Sequence, residues 1–274
     1  MIRHRFRHER PTALADAVAV LAEAGPRARV LGGGTLLVPE MVAGEASPDH
    51  VVDLGRLGLQ PVRLDGDDLV LAATATYADV LADPRVAEHA PTLVAMASGV
   101  TGGVQLLNAA TLAGSACQAA PGSDVPGCLA ALDARFRLAS EEGVREVGVD
   151  AFFLQAHRTA LRPDELLLEI VLPSTAGRAH GYVKLKHAAS SWPIATGACV
   201  LDADGRRVRV AIGAAGPIPV VLERDVAPGA GALAAEVAAL LQQTWDDVLA
   251  DAGYRRSVAP VAARRALEQA GVAP

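Results

Sequence analysis

The stretch Arg29-Val30-Leu31-Gly32-Gly33-Gly34-Thr35 joins a short apolar run to three consecutive glycines. The run predicts a strand, and the glycines predict a sharp turn where that strand ends. Because glycine has no side chain, successive backbone N–H groups in such a turn can converge on an anion. A second stretch, Thr111-Leu112-Ala113-Gly114-Ser115, also leaves its main chain bare and adds two hydroxyl groups. We therefore predict that the two stretches form the halves of one diphosphate cradle.

Glycine-rich turns after strands are common, so the first stretch alone is also compatible with a plain turn. The spacing nevertheless excludes two familiar nucleotide-binding motifs. A Rossmann fingerprint would need glycine or alanine at position 37, where Leu37 stands, and the chain contains no G-x-x-x-x-G-K-[ST] motif.

The composition limits the classes of partner and compartment. The chain has 274 residues and a net charge of −6, with no basic stripe, which argues against a nucleic-acid-binding surface. No apolar run approaches the roughly 18 residues of a membrane-spanning helix. The three cysteines form no C-x-x-C pair, so neither a disulfide framework nor a cluster site is predicted. We expect a cytoplasmic protein without a membrane span.

The first 175 residues are predicted to form two subdomains, about 1–57 and 58–175, because glycines and a proline between positions 55 and 61 mark a junction. A helix is expected from a Thr12 cap to about Ala24, and a second helix from Asp124 to Leu132. Asp124 can be interpreted as the cap of that helix or as a ligand-binding residue. The stretch 102–115 has too little periodicity for a regular element and is predicted to be a ligand-binding loop.

Residues 176–274 are predicted to form a smaller α+β domain in which three strands precede two helices. The strands are expected at Tyr182–Lys186, Ala198–Asp202 and Arg207–Ile212, and the helices at Leu233–Ala250 and Arg255–Ala270. The basic start of the last helix, residues 255–256, is predicted to be solvated or in contact with another subunit. The overall fold class is α+β.

Several dispersed motifs in the right order resemble the FAD-binding medium subunit of the molybdenum hydroxylases, of the xanthine dehydrogenase and carbon monoxide dehydrogenase type. The glycine loop is similar to the family pattern A-G-G-[HT]-[SD]-L. Residues 105–115, followed by Pro121, Asp124 and Pro126, are similar to Q-[IV]-R-N-x-A-T-[IL]-G-G-[NS] and S-P-x-x-D-x-P. The resemblance extends over essentially the whole chain, and it implies a two-subdomain FAD-binding domain of the PCMH/VAO type followed by the smaller domain.

By this resemblance, the chain would bind FAD through residues of both stretches, the helix start and the C-terminal domain. Asp124 would bind a hydroxyl group of the flavin nucleotide, and Lys184 or Lys186 would lie near the flavin ring. Strand alternation places both lysines on one side of the strand, in either a cofactor site or a solvated face. The predicted cofactor-binding residues are Gly32, Gly33, Gly34, Thr35, Leu36, Asn108, Thr111, Gly114, Ser115, Asp124, Lys184 and Lys186.

Four positions depart from the family pattern. Leu36 replaces a polar residue, Leu107 replaces arginine, Ala113 replaces glycine, and Pro193 lies where an acidic residue is common. Each change removes a hydrogen bond or a charge near the expected cofactor. The backbone of the second stretch should nevertheless keep its conformation, because Ala113 would be strained only if its φ had to be positive.

The resemblance implies an electron-transfer subunit with an iron–sulfur partner and a molybdopterin partner. FAD would deliver electrons to NAD, a quinone or oxygen. Two alternatives stay open on the sequence: a stand-alone FAD-dependent oxidoreductase acting on a small molecule, which the departures motivate, and a degenerate family member that serves as a binding module.

Overall fold

The computed structural model describes residues 1–274, and its N-terminal part is built on a parallel three-stranded sheet. The elements are β1 (Arg7–Glu9), α1 (Leu14–Ala24), β2 (Ala28–Leu31), α2 (Leu37–Ala43) and β3 (His50–Asp53), and the strand order is β1-β3-β2. Ala17, Val18 and Leu21 of α1 are buried, as its helical periodicity predicts. The predicted Thr12 cap is wrong: Ala13 precedes the helix, and no side chain caps it.

The middle part packs a five-stranded antiparallel sheet, in the order β4-β5-β10-β6-β7, against a group of short helices. A separate two-stranded hairpin, β8 and β9, follows the helices. The elements are β4 (Val62–Asp65), β5 (Asp68–Ala72), α3 (Tyr77–Ala82), α4 (Pro84–His89), α5 (Pro91–Ser98), α6 (Gly103–Ala109), α7 (Leu112–Gln118), α8 (Asp124–Ala131), β6 (Arg135–Ser140), β7 (Gly143–Gly148), α9 (Val149–Phe152), β8 (Phe153–Gln155), β9 (Arg158–Thr159) and β10 (Leu166–Leu172).

The loop predicted over residues 102–115 is wrong, because most of the stretch is helical. It forms α6 and the start of α7, two helices of seven residues each, separated by Ala110 and Thr111. Each helix is too short to show a sustained apolar period, and α6 buries none of its residues. The sequence pattern of a buried helical face is therefore absent, and the small residues indicate only a turn.

The C-terminal part is an antiparallel four-stranded sheet covered by two helices. Its elements are β11 (His180–Leu185), β12 (Ala195–Leu201), β13 (Arg207–Gly213), β14 (Val220–Asp225), α10 (Ala230–Ala239) and α11 (Ala252–Gln269). The α+β fold class is confirmed, but the prediction of three strands is wrong. The missed strand, β14, lies at the sheet edge, follows Pro217 and Pro219, and ends in three charged residues, so it lacks a buried strand's apolar run.

The predicted helix 233–250 is also wrong in its second half, since α10 ends at Ala239. Residues 242–251 instead form an irregular segment that carries Asp247. Arg255 is fully buried rather than solvated. Its guanidinium donates to the carbonyl oxygens of Ile194 and Ala214 and to Asp247, because a buried guanidinium needs several acceptors.

Backbone contacts without intervening side chains join the parts. A Cβ placed on Gly127 of α8 would lie 2.8 Å from the Cα of Gly213 in β13, and the reciprocal distance is 2.9 Å. Within the C-terminal part, Gly181 and Gly197 approach the backbone of α11 in the same way. The large core accordingly includes Ala198 of β12 together with residues of the first two parts. None of the helices has both the length and the apolar character required to cross a membrane.

Candidate functional site

A cavity of about 530 Å³ brings the two predicted stretches together. This volume lies within the roughly 300–1,000 Å³ that is typical of small-molecule and cofactor sites. Strand β2 and helix α2 supply one stretch, and helix α7 supplies the other. The predicted site residues that line the cavity are Gly32, Gly33, Gly34, Thr35, Leu36, Thr111, Gly114 and Ser115.

The N–H groups of residues 32–36 form a continuous open donor set. None of these five groups donates to a protein acceptor, although the carbonyl of Gly34 accepts the N–H of Val38 at the start of α2. Backbone donors without a protein partner must bind water or a ligand. Consecutive open donors at the start of a helix favour an anion. The cavity wall therefore has the chemistry that a diphosphate requires.

Close packing between the two stretches explains why the first is rich in glycine. A Cβ on Gly33 would lie 1.5 Å from the carbonyl oxygen of Ala109, and a Cβ on Gly32 would lie 2.9 Å from Thr111 Oγ1. Gly34 has a φ of +72°, which side chains rarely tolerate. A larger side chain at position 33 would therefore meet backbone before it reached any ligand.

Thr111 orders the second stretch as the N-cap of α7. Its Oγ1 accepts the N–H of Gly114 at 3.0 Å, which satisfies one of the free donors of the first turn. Ser115, one residue further, accepts a 2.9 Å hydrogen bond from the hydroxyl of Tyr77. Burial, opposed in part by this hydrogen bond, raises the pKa of the Tyr77 hydroxyl well above its usual range. Tyr77 therefore stays a neutral donor that orients the Ser115 hydroxyl.

The cavity also contains a buried carboxylate that sequence analysis missed. Glu165 is 3% exposed and receives a hydrogen bond from Arg145 Nε at 2.5 Å and another from the N–H of Arg162. Burial alone would raise the pKa of Glu165, but the hydrogen bonds from Arg145 and Arg162, with their positive charges, lower it overall. The ion pair between Arg145 of β7 and Glu165 fixes the loop before β10, which forms part of the cavity wall.

The β8–β9 hairpin adds His157 and Arg158 to the lining, and these residues were also missed. The turn is formed by Ala156 and His157, between strands of three and two residues. Strands this short give no alternating pattern, and the left-handed φ of His157, +57°, is not signalled by a glycine. No sequence signal would have identified them.

Asp124 and Lys184 form a second buried cluster outside the lining of the cavity. Lys184 Nζ lies 2.8 Å from Asp124 Oδ2 and 3.0 Å from the carbonyl oxygen of Gly99, while the Tyr182 hydroxyl donates to Asp124 Oδ1 at 2.6 Å. Burial and the neighbouring carboxylate raise the pKa of the Tyr182 hydroxyl. The cluster joins α8 to β11 across the boundary between the middle and C-terminal parts.

The remaining predicted site residues lie elsewhere. Asn108 is exposed on α6 and does not line the cavity, and Lys186 is exposed with its Nζ donating to the carbonyl of Ala189. The prediction that both lysines share one environment is wrong, because β11 ends at Leu185 and strand alternation no longer applies to Lys186. The interpretation of Asp124 as the helix cap is also wrong, because the hydroxyl of Ser123 accepts the capping hydrogen bond from the N–H of Val125.

The four departures have different structural consequences. Leu36 occupies the position before α2 and leaves that helix without a side-chain cap. Leu107 packs against the large core, and Pro193 is buried. Ala113 lies within α7 and has no positive φ, so it causes no backbone strain there.

The fold and the open donor set define an α+β protein with a cavity suited to an anionic ligand such as a diphosphate, and sequence comparison identifies its family. The family model described as the FAD binding domain in molybdopterin dehydrogenase matches residues 4–175. The chain belongs to this family. It is an oxidoreductase subunit with FAD as its cofactor, and the resemblance inferred from the motifs is confirmed.

Three relatives are similar to this chain over nearly its whole length. It is 33% identical to the carbon monoxide dehydrogenase medium chain of Afipia carboxidovorans, over 98% of each chain. It is 28% identical to the nicotine 6-hydroxylase medium subunit of Paenarthrobacter nicotinovorans, over 97% of each. A chain of the solved carbon monoxide dehydrogenase from Hydrogenophaga pseudoflava, in a form lacking the Mo-pyranopterin moiety, superposes with a TM-score of 0.90 at 30% identity, covering 99% of both chains.

Proposed function

We propose that the chain is the electron-transfer subunit of a molybdenum hydroxylase-type enzyme and holds FAD in the cavity between its two glycine-containing stretches. The observation that carries the proposal is the run of five open N–H groups at residues 32–36 in the wall of that cavity. The backbone there would bind the diphosphate, with Thr111, Gly114 and Ser115 on the second wall. Bound FAD supplies a redox centre that accepts and releases electrons.

Of the two lysines, Lys184 is the better candidate for a role near the flavin. Its ammonium group is held by Asp124 and by a backbone carbonyl, and only 7% of the side chain is exposed. A fixed and poorly solvated cation acts on nearby charge more strongly than a mobile exposed one. Lys186 is proposed to lie outside the cofactor site, as is Asn108, and residues 1–175 are proposed as the FAD-binding domain.

Partner chains are proposed for the other redox centres. The relatives named medium chain or medium subunit match this sequence almost end to end. This chain contains no group of three or more His, Cys, Asp or Glu side chains that could hold a metal ion. An iron–sulfur subunit would bring electrons to this chain, a molybdopterin subunit would act on the substrate, and NAD, a quinone or oxygen would receive the electrons. The three free cysteines support a reducing, cytoplasmic location.

The test begins with the visible spectrum of the purified full chain titrated with FAD, before and after dithionite. Stoichiometric flavin absorbance that bleaches on reduction supports the cofactor site, and a chain that takes up no FAD refutes it. The loaded chain is then mixed rapidly with small alcohols, with amines and with NADH. Bleaching by an alcohol or amine would overturn the electron-transfer role in favour of a stand-alone oxidoreductase. Bleaching by NADH alone would support electron exchange with an acceptor.

A further inference from the structure

The tip of the β8–β9 hairpin is fastened to the helix that carries the second cavity-lining stretch. The N–H of His157 donates to the carbonyl oxygen of Ala119 at 2.9 Å, and its Nδ1 lies 3.2 Å from the carbonyl oxygen of Gln118. Both carbonyls belong to the C-terminal end of α7, where they lack helical partners. The hairpin tip and the Thr111 cap are therefore held at opposite ends of one rigid helix.

The charges of the cavity lining do not cancel. Arg162 lies within 4 Å of Glu142 and Glu165. Arg29 and Arg158, the other two lining arginines, have no carboxylate within 4.0 Å. Glu165 is already paired with Arg145. Glu40 is the second lining carboxylate, so the three arginines exceed the carboxylates by one charge. The open N–H groups of the glycine stretch add further positive polarity, and the lining as a whole therefore favours an anionic ligand.

Arg158 differs from Arg29 in its origin. Arg29 lies on β2, only three residues before the glycine stretch, and so belongs to the same wall. Arg158 comes from a separate hairpin, directly after the residue that fastens the tip. A cation held by a separate element can enclose a ligand that the backbone donors bind from the other wall.

We propose that the hairpin tip is a clasp that retains the cofactor, and that Arg158 is a cofactor-binding residue whose guanidinium pairs with the cofactor's diphosphate. His157 fixes the tip, and Arg158 supplies countercharge to a ligand held by the N–H groups of residues 32–36. This inference rests on the proposed FAD site and adds a residue outside both glycine-containing stretches.

The first experiment compares FAD dissociation constants for the full chain, Arg158→Gln and the control Arg178→Gln. Arg178 is exposed, unpaired and outside the cavity lining. We expect Arg158→Gln to weaken FAD binding roughly tenfold at low ionic strength, with a smaller difference at about 0.5 M salt, where charges are screened. Arg178→Gln should bind like wild type.

Several results would overturn the role of Arg158. Unchanged affinity of Arg158→Gln at low salt would refute the countercharge and leave the FAD site intact. A loss that does not depend on salt would show a structural role instead. Failure of the wild-type chain to bind FAD would refute both the inference and the proposed function.

The second experiment tests the clasp through the rate of FAD release. His157→Pro removes the N–H that donates to Ala119 and cannot adopt a φ of +57°. His157→Gly keeps that N–H and tolerates the conformation, so it removes only the ring. We expect the largest increase in release rate from the proline variant, a smaller increase from the glycine variant, which loses only the ring contact with Gln118, and no further effect of Arg158→Gln in the proline background. Wild-type release from the proline variant, or additive effects of the two substitutions, would refute the clasp.

Discussion

Replacing Lys184 with methionine tests whether the cluster at Asp124 is the buried link that the structure shows. The substitution keeps most of the side-chain volume but removes the ammonium group, which leaves Asp124 with Tyr182 as its hydrogen-bond donor. The two side chains of the pair are only 7% and 11% exposed. Breaking a buried pair by removing one partner costs about 3–5 kcal/mol. Because the Tyr182 hydrogen bond persists, we expect a loss near the lower end of that range.

The matched control is Lys186→Met, on an exposed side chain whose substitution should change the free energy of unfolding by no more than about 0.5 kcal/mol. Thermal and urea-induced unfolding of the FAD-free chain gives the melting temperature and the free energy of unfolding of both variants. At roughly 2–4 °C per kcal/mol for a chain of this size, the Lys184 variant should lose about 6–12 °C in melting temperature.

A double variant makes this test sharper. Adding Asp124→Asn to Lys184→Met removes the unpaired buried charge but leaves an oxygen that can accept from Tyr182, so part of the stability should return. Equal effects of the two lysine variants, or no recovery in the double variant, would refute the buried link. With FAD bound, Lys184→Met should also lower the flavin reduction potential, whereas Lys186→Met should not.

Three further predictions concern the cavity. Gly33→Ala should sharply reduce folded yield, since its Cβ would lie 1.5 Å from the carbonyl oxygen of Ala109, whereas Gly148→Ala, with open space around it, should fold normally; equal yields would contradict the packing argument. The pKa of Glu165 is lowered in the folded state, so its contribution to stability is present above its ordinary pKa and is lost as pH falls through the folded value. Acid unfolding of Glu165→Gln should therefore be less steep than that of wild type, and an unchanged slope would argue against the ion pair. Burial raises the pKa of the Cys117 thiol to about 12, so alkylation at pH 8 should be slower in the folded chain than after unfolding, even though the half-buried side chain lines the cavity; equal rates would contradict that pKa shift.

Local chemistry made the two cavity walls predictable. Three glycines after an apolar run predict a turn with a bare backbone, and the small residues of the second stretch predict a bare wall, although not the helix that Thr111 caps there. The α+β class followed from strands and helices with ordinary apolar patterns. These features depend on residues close together in the chain, which is why the sequence alone indicated them.

The parts that could not be predicted depend on contacts between distant residues. The hairpin that carries His157 has strands of two and three residues, and α7 is what holds its tip in place. The sequence predicts Arg255 as a solvated residue, because the carbonyl oxygens that accept its hydrogen bonds, among them that of Ala214, lie far away in the sequence. The separation of Lys184 from Lys186 depends on where a strand ends, the least regular property of such an element.

The crossing of Gly127 and Gly213 restricts how the protein can evolve. Enlarging either residue by one methyl group would wedge α8 away from β13, because each Cβ would lie within 3 Å of the opposing Cα. A compensating reduction in the facing residue is impossible, since it is already the smallest amino acid. A larger residue at one of these positions therefore cannot be compensated by a substitution at the other.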